Sequence, residues 1–199
     1  MNFVFSDLTA EPVTSSTANA DAAKVKSLDA AISDRDICIV DVLDSPEYLG
    51  RIEHGANKHF YTRGAFDLVQ LVLYILKQTG PADVVIASYS IAEQTLKTLL
   101  RMVETGEILS IRFLIDNRVR SISPKPFDFL VTSFPDCYRC LALHAKVALI
   151  GNADWQITVI GSQNATHNPK LERGIIHTDP NIYLFDYSVL DDEFNSGTT

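Results

Sequence analysis

The sequence predicts an α/β protein with a mixed, largely parallel β-sheet flanked by helices on both faces. Residues 82–88, ADVVIAS, form a continuous apolar run that is typical of a strand covered on both faces. Residues 91–106 follow with helical apolar spacing and end at a glycine, and residues 108–116 have the composition of a second strand. A strand, a helix and a strand joined by short connections predict a βαβ unit with parallel pairing.

The chain before residue 82 divides into an arm and the start of a domain. Residues 6–20 are polar and rich in Ser, Thr and Ala, so residues 1–20 are predicted to form a flexible arm, and residues 21–199 are predicted to form a single domain. Apolar spacing then predicts three elements: a helix at 20–34, a strand at 36–44 and a mostly buried helix at 64–80.

The chain after residue 116 is predicted to complete the sheet. Gly151 and Asn152 supply turn chemistry between two apolar strands, which predicts a hairpin. The predicted elements are a loop at 121–129, strands at 140–150, 155–162 and 174–179, and a C-terminal helix at 181–194.

Composition narrows the classes of function. The formal net charge of −8 over 199 residues argues against a protein that coats nucleic acid over its whole surface, although a local basic patch is compatible with it. The sequence predicts neither a secretory signal nor a membrane span, so a cytoplasmic protein without a membrane partner is expected. Cys137 and Cys140 precede His144 at a spacing that raises a zinc site, but a fourth ligand at suitable spacing is missing.

Polar residues interrupt the apolar strands of the last third. If LALHAKVALI, residues 141–150, is extended, His144 and Lys146 lie on one face of the strand. The returning strand ends in GSQN, which brings Ser162 and Asn164 to a strand end beside that face, and Glu172 follows in the next loop. A histidine, a lysine, an asparagine and a glutamate gathered in this way predict a phosphate site with a nucleophile.

The segment HAKVALIGNADWQITVIGSQNATHNPKLERG, residues 144–174, resembles the signature of the phospholipase D superfamily. That signature combines H-x-K, G-S-x-N and a downstream glutamate. The resemblance implies a phospholipase D-like fold and a metal-independent phosphodiesterase without a cofactor. It further implies that His144, Lys146, Asn164 and Glu172 are catalytic.

This chain departs from the family pattern in two respects. Gly151 stands where the fuller pattern has an aspartate, five positions after the lysine, which lowers the odds of a lipase more than those of a nuclease. The motif also occurs once, as in the small bacterial nucleases of the superfamily. The resemblance therefore implies a homodimer with one composite site on its twofold axis.

The resemblance also assigns roles. One His144 attacks phosphorus and forms a phosphohistidine, while the other acts as general acid and then as general base. Lys146 and Asn164 neutralise the nonbridging oxygens with help from Ser162, and Glu172 fixes the histidine tautomer. Lys170 and Arg173, in the loop after the motif, are predicted to bind substrate.

The residues leave other interpretations open. Glu172 beside Arg173 is also the pattern of a surface ion pair, and Tyr89, at the end of a strand, could stack on a base or simply pack at the rim. Basic residues cluster at 51–63 and 112–125 and could guide a polyanion if those loops border His144. We expect a nuclease acting on DNA or RNA, with a lipid phosphodiesterase or a catalytically silent nucleic-acid-binding module as the alternatives.

Overall fold

The computed structural model describes residues 36–167 and 169–197. Eight β-strands lie within those ranges: β1 Asp36–Leu43, β2 Asn57–Thr62, β3 Ala82–Ser88, β4 Ile108–Asp116, β5 Tyr138–Leu141, β6 Val147–Gly151, β7 Gln156–Gly161 and β8 Glu172–His177. The same ranges contain five α-helices: α1 Leu68–Thr79, α2 Glu93–Glu104, α3 Val119–Ile122, α4 Pro124–Ser133 and α5 Pro180–Ser196. The predicted arm at 1–20 and helix at 20–34 lie outside the described residues.

The strands form one sheet in the order β1-β2-β8-β7-β6-β3-β4-β5. The pairs β1·β2, β3·β4 and β4·β5 are parallel, as the βαβ pattern predicted for β3 and β4. The other four pairs are antiparallel, so the prediction of a largely parallel sheet is wrong. The reason is that β6, β7 and β8 are joined by connections that lack a helix, and such connections favour antiparallel neighbours.

Helices cover both faces of the sheet, as predicted. Alternate residues of β3 enter different layers: Ile86 packs with Leu71 of α1 and Leu96 of α2, whereas Val85 packs with Leu190 of α5. This alternation follows from the period of two in a strand and explains why residues 82–88 are apolar throughout.

The helix predicted at 64–80 is confirmed as α1, and its boundaries follow from its caps. The Asp67 side chain accepts a hydrogen bond from the Gln70 backbone while the Gln70 side chain accepts one from the Asp67 backbone, a capping box. Gly80 ends the helix with φ 80°, a conformation that favours glycine. The C-terminal helix predicted at 181–194 is confirmed as α5.

Two predictions after residue 116 are wrong. The loop predicted at 121–129 is largely helical, since Pro124 occupies the first turn of α4, where a missing N–H costs no hydrogen bond. The strand predicted at 140–150 is interrupted between Leu141 and Val147. Because β5 lies beyond β4 while β6 lies on the far side of β3, the chain must cross the ends of both strands between them.

The described helices offer no candidate for a membrane span, as each is too short or too polar to cross a bilayer.

The strand β2 was not predicted from the sequence. It inserts between β1 and β8 and pairs with β8 along its whole length, from Asn57 opposite His177 to Thr62 opposite Glu172. Its alternating burial is that of a strand with one covered face.

Candidate active site

The segment 142–146, which we call the crossing segment, carries the predicted nucleophile. It is not a strand, but two hydrogen bonds fix the path of the chain where the segment begins. The Leu143 N–H donates to the buried Asp116 carboxylate at 3.1 Å, and the Asn117 N–H donates to the Leu141 carbonyl at 2.9 Å. His144 is therefore held at the carboxyl ends of β3 and β4, an edge where α/β sheets commonly bind ligands.

Within the crossing segment His144 and Lys146 are in contact. The Lys146 ammonium donates to the His144 carbonyl at 2.7 Å, and its Nζ lies 3.4 Å from His144 Nδ1. The lysine side chain is buried, which lowers its pKa because burial penalises the charged form, while the Glu172 carboxylate opposes that shift. His144 itself is exposed.

The second part of the site is the loop that follows β7. Gly161 is required there, because a Cβ at this position would lie 2.5 Å from Gln163 Oε1 and 3.1 Å from the Arg173 carbonyl oxygen. The Leu68 N–H donates to the Asn164 carbonyl at 3.3 Å, which ties the loop to the first residue of α1. The Asn164 Oδ1 atom is buried and has no hydrogen-bond partner among the described residues.

These two parts enclose an open cleft of about 510 Å³. Its lining includes five of the seven residues predicted for the site, namely His144, Lys146, Ser162, Asn164 and Glu172. The cleft thus combines an exposed imidazole, a desolvated ammonium and an amide whose oxygen is unpaired among the described residues. These groups match the functional requirements of a site that binds an oxyanion and attacks it.

The other two predicted residues, Lys170 and Arg173, do not line this cleft. The Arg173 guanidinium lies 6.0 Å from the Tyr61 ring centroid, and its Nη2 is 3.2 Å from His59 Nδ1. Lys170 is exposed in the loop that precedes β8. The strand period explains the result for Arg173, since Glu172 and Arg173 are neighbours and must point to opposite faces of β8.

Glu172 is buried and accepts a hydrogen bond from the Ser162 hydroxyl. The same hydroxyl accepts a hydrogen bond from the Arg173 N–H at 3.0 Å. Ser162 thus joins the loop after β7 to the start of β8. The predicted role of Glu172 in fixing the His144 tautomer stays a prediction.

Three residues that the sequence did not assign to the site border it. The Tyr89 ring centroid lies 5.4 Å from that of His144 and 5.6 Å from Lys146 Nζ. The Arg118 guanidinium lies 4.7 Å from the same ring, and Asp116 binds that guanidinium. Their positions at the carboxyl ends of β3 and β4 were the one signal that could have found them.

The basic side chains predicted as one cluster at 112–125 contact different parts of the protein. Arg112 donates to Asp191 at 2.6 Å and to the Tyr187 hydroxyl at 2.8 Å, so it joins β4 to α5. Arg120 lies 5.4 Å from the Phe127 ring centroid. Only Arg118 of these three stacks on a ring that borders the cleft.

The cysteine pair does not lie in a metal-binding cluster. Over residues 36–167 and 169–197, no three His, Cys, Asp or Glu side chains are grouped in a way that could hold a metal ion. Cys140 is buried, and burial raises the pKa of the Cys137 thiol.

Gly151, the position of the family aspartate, lies at the opposite end of β6 from the cleft. A Cβ on Gly151 would come within 2.9 Å of Tyr183 Cζ and closer still to the Tyr183 hydroxyl. Asp154 is exposed in the hairpin turn that follows, also away from His144. Neither residue contributes to the cleft.

The fold and the cleft define an α/β protein with a mixed sheet and a polar site at one sheet edge. Comparison with solved structures shows where else this fold occurs. The chain is similar to Nuc, a phospholipase D family member from Salmonella typhimurium, with 15% identity, a TM-score of 0.50, and coverage of 71% of this chain and 95% of that one. The predicted phospholipase D-like fold is confirmed.

Two further solved structures share this fold. NucT from Helicobacter pylori is 18% identical with a TM-score of 0.53, covering 71% of this chain and 98% of that one. Polyphosphate kinase from Porphyromonas gingivalis is 13% identical with a TM-score of 0.52, covering 72% of this chain but only 26% of the kinase. No family model and no curated protein matches the sequence.

Proposed function

We propose that the protein is a metal-independent phosphodiesterase, specifically a nuclease that cleaves DNA or RNA through a phosphohistidine intermediate. The observation that carries this proposal is the convergence of His144, Lys146, Asn164 and Glu172 on one open cleft. The fold shared with a phospholipase D family member supports it. The nuclease assignment follows from the single H-x-K motif and from the absence of the family aspartate at Gly151.

A phosphodiester anion repels nucleophiles until its oxygens are neutralised. Lys146 supplies a cation, and this cation is buried. When an anion displaces water from the cleft, the burial strengthens the attraction between the two charges. The amide group of Asn164 supplies a neutral donor in the same cleft. The chain therefore provides its own charge for phosphate binding.

The chemistry requires two imidazoles, and each chain contributes one to the cleft. The Nε2 of one His144 attacks phosphorus and forms an N–P bond, while His144 of the partner subunit gives its proton to the departing oxygen. The partner imidazole then takes a proton from water, the water oxygen attacks phosphorus, and the N–P bond breaks. His144 is released unchanged.

The contact between Lys146 and His144 bears on these two roles. An ammonium can only donate, so Nδ1 facing it accepts, and the ring proton is then on Nε2. Neither role uses that neutral tautomer: the general acid has to be the imidazolium, protonated on both ring nitrogens, because a neutral imidazole that gave up its proton would become an imidazolate. The attacking histidine needs the opposite tautomer, with its Nδ1–H donated to a carboxylate, and Glu172 is the carboxylate that lines the cleft.

A second copy of the chain is proposed to complete the site. Exposed apolar side chains lie at the cleft or next to one of its residues: Ile160 lines it and is 36% exposed, and Leu171, which precedes Glu172 in the sequence, is 52% exposed. Apolar surface next to an incomplete site favours a homodimer in which this edge is buried.

The test uses purified protein with plasmid, single-stranded DNA and RNA in excess EDTA. We expect cleavage that His144→Ala reduces by at least about 10³-fold, since nucleophile and acid act as a unit. His177→Ala is the matched control, because His177 contacts Asn57 on β2 and does not line the cleft. Denatured wild-type protein should retain an acid-labile phosphoryl group that His144→Ala lacks.

Other outcomes would contradict the proposal in distinct ways. Retention of DNA without cleavage would identify a silent binding module, and turnover of phosphatidylcholine alone would identify a lipid phosphodiesterase. A protein that sediments as a fully active monomer at micromolar concentration would exclude the composite site.

A further inference from the structure

One carboxylate beside the cleft fixes two groups at once. The Asp116 side chain accepts from the Leu143 N–H at 3.1 Å, from the Arg118 N–H at 3.0 Å and from Arg118 Nε at 2.8 Å. It is buried, and its hydrogen bonds with Arg118 hold the pKa of the carboxyl below its ordinary value. The same anion therefore positions the crossing segment that carries His144 and the guanidinium of Arg118.

The Arg118 guanidinium is also stacked. Its Cζ lies 4.7 Å from the centroid of the Tyr89 ring, the ring that lies 5.4 Å from the His144 ring on the edge of the cleft. The arginine side chain is nonetheless 61% exposed. A long exposed side chain is ordinarily free to move, so one held by both a carboxylate and an aromatic face is preorganised for a ligand.

The donors of Arg118 are only partly used. Nε and Nη2 point to Asp116, with Nη2 at 3.4 Å, whereas Nη1 makes no hydrogen bond with a described residue. Arg112 differs, because both of its terminal nitrogens are bound by α5 side chains. Arg118 thus presents one terminal nitrogen, Nη1, that no described residue binds, whereas both terminal nitrogens of Arg112 are engaged with α5.

We propose that Arg118, held by Asp116 and Tyr89, binds the phosphate next to the scissile one in a polynucleotide. This inference rests on the proposed function, which places the scissile phosphate at Lys146 and Asn164. A polynucleotide carries one negative charge per nucleotide, so a second cation beside the first phosphate site meets a second phosphate. A guanidinium suits that role because its planar donors match phosphate oxygens. A simple lipid diester has no such neighbour.

The closing experiment compares two substrates, a single-stranded oligonucleotide and bis(4-nitrophenyl) phosphate, which has one phosphate only. For Arg118→Gln we expect kcat/KM on the oligonucleotide to fall at least about tenfold more than on the small diester. Arg120→Gln is the matched control, as it removes an equal charge from a side chain that packs on Phe127. It should leave both activities within about twofold.

A binding measurement tests the same site without turnover. In the His144→Ala background, the slope of log affinity against log salt for the oligonucleotide should fall by about 0.7 when Arg118→Gln is added. Asp116→Asn provides the contrast: it should loosen the crossing segment as well as Arg118, so it should also reduce turnover of the small diester, which Arg118→Gln spares.

The outcomes separate the two proposals. If Arg118→Gln lowers turnover of both substrates equally, or of neither, the flanking-phosphate site is wrong while the phosphodiesterase stands. If wild-type protein cleaves neither substrate, the proposed function fails, and an unchanged salt slope in the binding assay would overturn the Arg118 site as well.

Discussion

The two ends of strand β6 are surrounded by different chemistry. At its start Lys146 is buried against the His144 carbonyl and lines an open polar cleft. At its end Gly151 lies under α5, where the Tyr183 ring fills the space that a side chain would need. One strand therefore joins a region built for a ligand to a region built for packing.

This difference explains why the family pattern is retained only in part. H-x-K, G-S-x-N and the glutamate belong to loops and strand ends that meet at the cleft. The position of the family aspartate belongs to the interface between the sheet and α5, and here that interface uses Tyr183 and glycine instead. The departure at Gly151 is thus a packing solution at the end of β6 that lies away from the cleft.

Of the substitutions that distinguish the two ends of β6, Lys146→Met is expected to have the largest effect, a loss of activity. Loss of the ammonium should reduce kcat on DNA by about 10²–10³-fold, the cost of removing one charge-stabilising donor. The midpoint of thermal unfolding should stay at or above that of the wild type, because burial already lowers the lysine pKa and methionine removes the desolvated charge. Activity assays and calorimetry on one preparation measure both.

A matched change at an exposed lysine shows whether the effect is local. Lys97→Met removes the same charge from α2, where Lys97 pairs with Glu93 on the helix surface. It should alter activity and stability little. If Lys146→Met kept full activity, the two ends of β6 would not differ in their importance for activity, and the comparison would be wrong.

Gly151→Asp tests the packing end and should act on stability. The added side chain must displace Tyr183 from the sheet, and overpacking of this kind costs about 1–3 kcal/mol of unfolding free energy. Tyr183→Ala in the same chain should recover part of that loss. Ala153→Asp, which adds the same charge two residues later at an exposed turn position, is the control and should be nearly neutral in urea unfolding.

Restored or raised activity in Gly151→Asp would contradict this account. It would mean that the aspartate of the family pattern acts on the site from the far end of the strand. The structure leads us to expect the reverse, a less stable protein whose kcat is unchanged while it is folded.

Local patterns predicted the β3–α2–β4 unit, α1 and α5 because each rests on interactions within a short stretch of chain. The capping box of Asp67 and Gln70 and the apolar run of β3 are examples. The antiparallel pairing of β6 with β3 depends on where the chain goes after β5, and local periodicity carries no information on that path. The sheet was therefore predicted as more parallel than it is.

The site was predicted residue by residue only where the motif spacing was available. That spacing predicted five of the residues that line the cleft, but the local pattern placed His144 and Lys146 on a strand that is in fact interrupted. Asp116 was missed. Tyr89 was predicted either to stack on a base or to pack at the rim, and Arg118 only as part of a basic cluster. Neither was assigned to the site, because all three reach it through tertiary packing across two strand ends. No spacing rule connects residues that meet in this way.

The smallest predicted effect concerns Asp186 on α5, on the packing side of the molecule. Burial raises the pKa of its carboxyl above the ordinary value of 3.8, although the nearby Thr158 side chain opposes the shift. At pH values between the two pKa values, the folded protein therefore keeps a proton on Asp186 that the unfolded chain has lost. The contribution of this group to stability is complete below the unfolded-state pKa, and it is lost as pH rises through the folded-state pKa.

Asp186→Asn removes the ionisation and should flatten that part of the stability curve. We expect its unfolding free energy at pH 7 to exceed that of the wild type by on the order of 1 kcal/mol or less, and the gap to close as pH falls toward about 4. Glu193→Gln, which removes an exposed carboxylate from the same helix, is the control for the change in net charge. Because Asp186 lies outside the cleft, Asp186→Asn should leave kcat unchanged. Neutralising Lys146, the buried charge at the cleft end of β6, should instead abolish most of the activity.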